Sequence, residues 1–188
     1  MNTPAHLLMG AALFGRPGDR RTTLAAVAGG LLPDLSLYLL AAGAFAAGYD
    51  GRAVFGRLYF SDGWQAVFAV DNSFVLWGVA LVAAAFARSR PAVALCAAAL
   101  VHLAVDFGLH GNDARMQFWP LSRWRFDSPW SYWDASRGGA WIGAAENALV
   151  VVMVVWLLWR HRGAAARTGI LALGAAQLAP LVIWRLVF

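Results

Sequence analysis

The sequence has no lysine, one cysteine and few charged residues, and each shortage narrows the class of protein. Charged residues make up 13% of the 188 positions and hydrophobic residues 61%, with a mean hydropathy of +0.59. This composition excludes an ordinary soluble domain and predicts an integral membrane protein. The single cysteine, Cys96, excludes an intramolecular disulfide and argues against a cysteine-based metal site.

The start of the chain lacks the features of a cleaved secretory signal. Residues 1–6 contain no arginine, and no small-residue cleavage site follows the next apolar stretch, so we expect that stretch to be retained. It runs only to Gly15, and at about 1.5 Å per residue it is too short to cross a hydrocarbon core of about 30 Å. The sequence predicts a half-helix there, capped by Thr3 and with Pro4 in its first turn.

Five longer apolar segments follow, each close to the roughly 20 residues that a spanning helix needs. They cover residues 22–48, 64–87, 91–110, 139–159 and 168–187. All are hydrophobic on every face, as membrane helices are, and no repeat or low-complexity linker divides them. The sequence therefore predicts an all-α, polytopic transmembrane bundle. It forms a single domain, residues 1–188, with about five spanning helices and a short N-terminal half-helix.

The short connections on one predicted membrane face are rich in arginine and poor in acidic residues, although the opposite face carries seven arginines of its own. The short connections 16–21, 88–90 and 160–167 fall on one face when the connections alternate, and they contain one acid, Asp19. Their arginines are Arg16, Arg20, Arg21, Arg88, Arg90, Arg160, Arg162 and Arg167. The positive-inside rule makes this face cytoplasmic, so we expect a multi-pass protein of a bacterial-type inner membrane. Arginines in short loops between apolar runs indicate orientation and not nucleic-acid binding.

An imidazole and a carboxylate, His102 and Asp106, lie four residues apart within the apolar segment 91–110. On a helix this spacing puts both on one face, so that one metal ion or one proton path could use both. Ionisable groups at membrane depth are costly and usually mark a functional site. Three further candidates fall near the same face, opposite the arginine-rich connections: His6, Asp71 and Glu146. That face is periplasmic or external on this topology.

Asp34 is a further candidate for the same site, although its position along the predicted helix differs from the others. A straight helix over 22–48 leaves it near the middle of the membrane, but Pro33 removes a backbone donor and is expected to bend or break the helix. The resulting nitrogen and oxygen ligand set suits zinc, manganese or iron and a metal-activated water. Structural roles stay open for His6 as a capping residue, for Asp71 bonded to its neighbours and for Glu146 paired with a loop arginine.

The connection 111–138 is rich in arginine and aromatic residues. Its aromatic side chains, Trp119 among them, fit an interfacial belt. Arg123 and Arg125 could bind a phosphate in a bidentate manner, and anchoring to anionic lipid headgroups is the alternative. Chemistry outside the bilayer is expected in this interfacial loop.

Several short strings occur in a fixed order along the chain. They are Ala-His-Leu-Leu at 5–8, Leu-Leu-Pro-Asp at 31–34, Asp-Asn-Ser at 71–73, His-Leu-Ala-Val-Asp at 102–106, Phe-Trp-Pro at 118–120 and Arg-Trp-Arg-Phe at 123–126. In these strings the sequence resembles the YdjM-type family of LexA-regulated inner-membrane proteins, described as membrane-bound metal-dependent hydrolases. The resemblance covers residues 5–126.

The resemblance implies a metal-dependent hydrolase. The family's histidine and aspartate positions match His6, Asp34, His102 and Asp106. Two departures concern the ligands. Ser36 stands where the family commonly has a second aspartate, and Asp-Asn-Ser at 71–73 replaces a histidine-containing string, so Asp71 or Asn72 would take the place of that histidine.

The leading hypothesis is a hydrolase of a lipid or lipid-linked phosphate or ester, with one divalent metal, most simply zinc, and with manganese or iron as alternatives. Its metal ligands are His6, Asp34, His102 and Asp106, with Asp71 as a further ligand. Glu146 or His110 would move the proton, and Arg123, Arg125 and Trp119 would bind the substrate.

The alternative is a non-enzymatic membrane protein, either an ion or solute transporter or an interaction protein, that uses the same buried set. Transport requires a polar path to the arginine-rich face, and the sequence shows little of one.

Overall fold

The structure is a computed structural model that describes the backbone of residues 1–187 and the side chains of residues 1–179. Its helices are α1 (Thr3–Phe14), α2 (Arg20–Ala46), α3 (Gly51–Ala53) with the π-helical turn Val54–Leu58, α4 (Asp62–Asp71), α5 (Phe74–Phe86), α6 (Arg90–Leu109), α7 (Gly139–Arg160) and α8 (Ala164–Val187). A 3-10 turn, Ala135–Arg137, precedes α7. Residues 1–187 contain no β-strand, which confirms the all-α prediction.

Four helical stretches are long and apolar enough to cross a membrane. They are α2, α4 together with α5 (Asp62–Phe86), α6 and α7. The N-terminal helix α1 has 12 residues and is the short apolar helix that was expected. The fifth predicted segment, 168–187, falls within α8, and its side chains from residue 180 onward lie outside the described residues. The predicted membrane bundle with a short N-terminal helix is therefore confirmed.

The predicted segment 64–87 consists of two helices and not one. Ser73 accepts a hydrogen bond from Leu76 N and so caps α5, while its hydroxyl donates to Trp119 O. The next backbone amide, Phe74 N, donates to Gln117 O at 2.8 Å. These bonds connect the junction of α4 and α5 to the interfacial loop. A continuous helix would have used the same groups internally.

The short helix α1 lies at the centre of the bundle, in contact with α2, α6, α7 and α8. Leu8 and Met9 pack with Val150, Met153 and Leu157 of α7 in an apolar cluster. The cap of α1 differs from the prediction, because the residue at the N-cap is Asn2. The Thr3 hydroxyl instead donates a hydrogen bond to Asp34 of α2, so this side chain connects the two helices and does not cap α1.

Glycines allow α2 to approach α1 and α6 closely. A Cβ built on Gly29 would collide with Leu95 O of α6, and one built on Gly30 would collide with His6 O of α1. Small residues of this kind let membrane helices pack backbone against backbone. The contact sets the relative depth of the side chains that follow.

The close contact explains the position of Asp34 without a helix break. α2 is continuous from Arg20 to Ala46 and includes Pro33, so of the expected bend or break at Pro33 the break is wrong. Asp34 lies 14 residues after the start of α2, about 21 Å along its axis, and His102 lies 12 residues after the start of α6, about 18 Å along. The two side chains therefore reach the same depth because their helices start at the same face.

The connections separate into two groups at opposite ends of the bundle. Arg16, Arg88 and Arg160 line one cavity together, which joins the ends of α1 and α7 to the start of α6. We call this end the arginine-rich face. The N-terminal residues, the α3 region and the interfacial loop line a second cavity with Asp34 and Asp106. The grouping of connections expected from the alternation is thus present in the structure.

We expect Gly29→Val to destabilise the bundle, because the added side chain meets the α6 backbone and overpacking of this kind costs about 1–3 kcal/mol. The measurement is the thermal unfolding midpoint of the protein in detergent. Gly43→Val is the matched control, since no heavy atom lies within 4 Å of a Cβ at Gly43 in the same helix. Equal midpoints for the two variants would contradict the close contact.

Candidate metal centre

Three buried side chains from two helices form a group that could hold a metal ion. His6 comes from α1, and His102 and Asp106 come from α6, with one potential ligand atom of each lying within 4.8 Å of the others. Their exposed fractions are 1%, 0% and 5%. The two imidazole rings stack with centroids 3.6 Å apart and an interplanar angle of 11°. The predicted His102 and Asp106 pair is thus joined by the predicted N-terminal histidine.

A backbone carbonyl fixes the orientation of the His102 ring. Its Nδ1 lies 2.8 Å from Gly30 O of α2, and because a carbonyl can only accept, Nδ1 carries the proton and donates. In the neutral ring Nε2 then offers a lone pair. It faces Asp106 Oδ2 at 3.3 Å and Asp34 Oδ1 at 3.7 Å, and it is buried without a hydrogen-bond partner. A lone pair that faces two carboxylates requires a proton or a cation between them.

His6 approaches the same carboxylate from the other side. Its Nε2 lies 3.0 Å from Asp106 Oδ1, and the amino group of Met1 lies 2.7 Å from that oxygen. The other ring nitrogen, His6 Nδ1, is buried and has no hydrogen-bond partner among the described residues. Both oxygens of Asp106 are therefore directed at nitrogen atoms, as expected for a carboxylate at the middle of a ligand set.

Asp34 borders this group and is held by polar side chains. Thr3 Oγ1 donates to Asp34 Oδ2 at 2.6 Å, and Tyr38 OH donates in turn to Thr3 Oγ1 at 2.7 Å. The guanidinium of Arg115 lies 3.7 Å from Asp34 Oδ1. These contacts direct Oδ1 towards His102. Asp34 thus adds a second carboxylate beside the three-residue group.

His110 extends the group towards the membrane face. Its Nε2 lies 3.3 Å from Asp106 Oδ2, and its Nδ1 donates to Asp113 Oδ2 at 2.7 Å. Asp113 also accepts from Trp133 Nε1 at 3.0 Å. Burial lowers the pKa of His110, but the Asp106 and Asp113 carboxylates outweigh burial and raise that pKa to about 9. The two carboxylates thus favour the protonated form of His110.

Arg115 is a site residue that the sequence did not indicate. It is 7% exposed, and its NH1 donates to Asn72 Oδ1 at 2.8 Å and to Pro33 O at 3.3 Å. Burial opposes its charge, yet Tyr59 and Asp34 raise the pKa of Arg115 above its ordinary value. The sequence indicates only that Arg115 lies nine residues after Asp106. The same loop contains several other arginines, and the sequence does not show which of them faces the site.

A cavity of about 560 Å³ opens onto these groups. Its polar lining includes Asp34, Arg52, Asp106, His110, Asp113 and Arg115. Other lining residues are apolar or aromatic, among them Leu37 and Tyr38 from α2 and Phe55 and Phe60 from the α3 region. The lining thus combines charged groups with apolar and aromatic surface.

The structure places two other predicted carboxylates outside this group. Asp71 accepts from the side chain of Asn72 at 2.8 Å at the end of α4. Glu146 Oε1 accepts from the backbone and side-chain nitrogens of Asn2, at 2.8 and 3.0 Å, and from Gln177 Nε2 at 2.9 Å. Glu146 therefore fixes the start of α1 against α7 and α8. Neither Asp71 nor Glu146 is among the described residues that line the cavity.

The predicted substrate-binding residues also lie apart from the cavity. Arg123 and Arg125 are exposed on the interfacial loop, and Trp119 is half-buried where its carbonyl accepts from Ser73. None of the three is among the described lining residues, whereas Arg52 and Arg115 are. A binding role for Arg123, Arg125 and Trp119 stays a prediction.

No protein-family model, curated protein or solved structure matches this chain. The resemblance to YdjM-type proteins therefore stays a prediction from short strings. What the chain does must be inferred from its own buried histidines, carboxylates and cavity.

Proposed function

We propose that this protein is a membrane-embedded, metal-dependent hydrolase that acts on a phosphate or ester group of a lipid or lipid-linked molecule. The observation that carries the proposal is the unpartnered Nε2 of His102, which faces Asp106 and Asp34. Asp106 and Asp34 border a cavity that is also lined by arginines and apolar side chains. Such a donor set is typical of divalent metal sites and is costly at membrane depth without a function.

The ligands in this proposal are His6, His102 and Asp106, with Asp34 as the fourth. Two imidazoles and two carboxylates suit zinc, with manganese or iron as alternatives. The bond from His102 Nδ1 to Gly30 O is the kind of outer contact that fixes the tautomer of a metal-binding histidine. A divalent cation in this position would lower the pKa of a water molecule and polarise a phosphoryl or ester oxygen.

His110 is the group that we assign to proton transfer. It lines the cavity, contacts Asp106 and is oriented by its bond to Asp113. Both ring nitrogens face carboxylates, so His110 would move a proton between the cavity and Asp106 or Asp113. Glu146, the other sequence candidate, bonds to Asn2 and Gln177 and is a positioning residue for α1.

Arginines and aromatic walls define the substrate class. Arg52 and Arg115 lie along the cavity, where a guanidinium can neutralise a phosphate. Leu37 and Phe55 give the same cavity an apolar side for a lipid chain. We assign the site to the membrane face opposite the arginine-rich face, which is the periplasmic or external face of an inner membrane under the positive-inside rule.

The apolar packing below the site supports hydrolysis over transport. Leu8 and Met9 of α1 pack with Val150, Met153 and Leu157 of α7 between the metal group and the arginine-rich face. An ion crossing the protein needs polar groups or water along its path. A site that is open on one side and closed by apolar side chains on the other is suited to a molecule that enters and leaves at the same face.

Removal of a ligand should remove the metal. We expect about one zinc or manganese ion per chain in the detergent-purified protein, and loss of that ion in His102→Ala and in Asp106→Ala, because each variant removes a ligand from a four-ligand site. Elemental analysis measures the metal content of each variant. His161→Ala, at the opposite end of the bundle, is the matched control and should keep the metal. A wild-type protein without metal after soaking in zinc and manganese would contradict the proposal.

Loss of the cavity arginine should weaken hydrolysis of a lipid phosphate. We expect Arg52→Gln to lower kcat/KM roughly ten- to hundredfold, since a hydrogen bond to a charged group contributes about 1.5–3 kcal/mol. The assay follows phosphate or fatty-acid release from phosphatidic acid, phosphatidylglycerol and a polyprenyl diphosphate.

Two controls accompany this assay. Arg57→Gln removes a neighbouring exposed arginine that stacks on Tyr49, and Arg123→Gln combined with Arg125→Gln removes the loop arginines. Both should retain activity. An equal loss of activity in the loop variant would indicate that the interfacial loop binds the substrate. If the metal-loaded protein releases no product from any of these lipids, the non-enzymatic alternative is favoured.

A further inference from the structure

A groove at the arginine-rich face combines a cationic rim with an apolar interior. It encloses about 760 Å³ and lies over α1, between α2 and α8. The rim consists of Arg16, Arg20, Arg160 and Arg162. The interior is formed by Leu8 of α1, Leu24 and Val27 of α2, and Ala166, Gly169 and Leu173 of α8. This groove is separate from the candidate metal centre, which is at the other end of α1.

No rim arginine forms an ion pair within the described part of the chain, where the arginines that do so are Arg115 and Arg137 at the other end of the bundle. Asp19 is the one acid in the adjoining connection, and it accepts from Thr22 N at 3.0 Å and from Thr22 Oγ1 at 2.6 Å to cap α2. Four guanidinium groups beside a low-dielectric groove therefore attract an anion.

One rim arginine also has a structural role that shapes the groove. Arg160 donates to Ala12 O at 3.3 Å and to Gly15 O at 3.5 Å, and so holds the end of α1 against α7. Nearby His161 Nε2 is buried without a hydrogen-bond partner among the described residues. The rim thus provides a further nitrogen for a ligand in addition to the guanidinium groups.

The interior distinguishes a lipid from a soluble anion. Leu24 is 55% exposed in the groove, and no heavy atom lies within 4 Å of a Cβ at Gly169 on the opposite wall. A free phosphate would bind at the rim and leave this apolar channel unfilled. An acyl chain would cover Leu24 and lie along the small residues of α8. Binding would then be favoured because the apolar surface of the groove is no longer exposed to the polar headgroup region.

We propose that this groove binds an anionic phospholipid of the adjoining leaflet. Its phosphate lies among the rim arginines, and one acyl chain lies between α2 and α8. Basic pockets between membrane helices are suited to anionic headgroups, and guanidinium groups bind phosphate oxygens in pairs.

The test measures phospholipid retained on the full-length protein by native mass spectrometry, with phosphatidylglycerol and phosphatidylcholine supplied in equal amounts. We expect selective retention of phosphatidylglycerol. Arg16→Gln combined with Arg162→Gln should weaken that retention roughly 25-fold, at about fivefold for each surface arginine. Arg160 is left intact because it holds α1. Arg90→Gln, on the same face but lining a different cavity, is the control and should change retention little.

A second variant tests the acyl-chain channel. Gly169→Phe places a ring in the groove and should reduce phosphatidylglycerol retention, while Gly78→Phe adds the same ring to α5, where no heavy atom lies within 4 Å of the new Cβ. An unchanged thermal midpoint shows that both variants are folded.

Four outcomes would overturn the proposal. The first is equal retention of the two lipids, and the second is an equal loss in Arg90→Gln. The third is full retention in Gly169→Phe. The fourth is displacement of the lipid by inorganic phosphate at millimolar concentration, which would identify a site for a soluble anion.

Discussion

The hydrogen bond between His102 and the carbonyl of Gly30 is the contact on which the site depends. It requires α2 and α6 to approach until a Cβ on Gly29 would strike the α6 backbone. The same bond places the proton on Nδ1 and leaves Nε2 facing Asp106 and Asp34. A property of helix packing, the absence of side chains at two positions, thus determines which nitrogen is available for chemistry.

Much of the fold and part of the site could be predicted from the sequence. Hydrophobic composition and segment length predicted the membrane helices, and the spacing of His102 and Asp106 placed both on one helix face. Helix rise gives the depth of each residue along its own helix, and His6 and Asp34 reach the depth of this pair as expected. The break between α4 and α5 was visible only as the polar string 71–73.

The remaining site residues could not be predicted, because the depth of a residue along its own helix does not show which neighbouring helices its side chain faces. Asp71 and Glu146 have suitable depths, yet one bonds to Asn72 and the other to Asn2 and Gln177. Which helices are neighbours decides this, and a single sequence does not show it. Arg115 was missed for a related reason: irregular loops have no periodicity that separates an inward arginine from outward ones such as Arg123.

The proposal of a bound cation depends on the unpartnered nitrogen of His102 and not on any resemblance. Asp106 is 5% exposed and has the Met1 amino group at 2.7 Å and His110 Nε2 at 3.3 Å, while Asp34 is 7% exposed and has Arg115 at 3.7 Å. These partners compensate the buried carboxylates, but they leave the Nε2 atom of His102 without a hydrogen-bond partner. Protonation of His102 would satisfy this nitrogen but would place a positive charge against the stacked ring of His6, at a centroid distance of 3.6 Å. A divalent cation would use the same nitrogen lone pair and contact the carboxylates without that proton, and this is the arrangement that we propose.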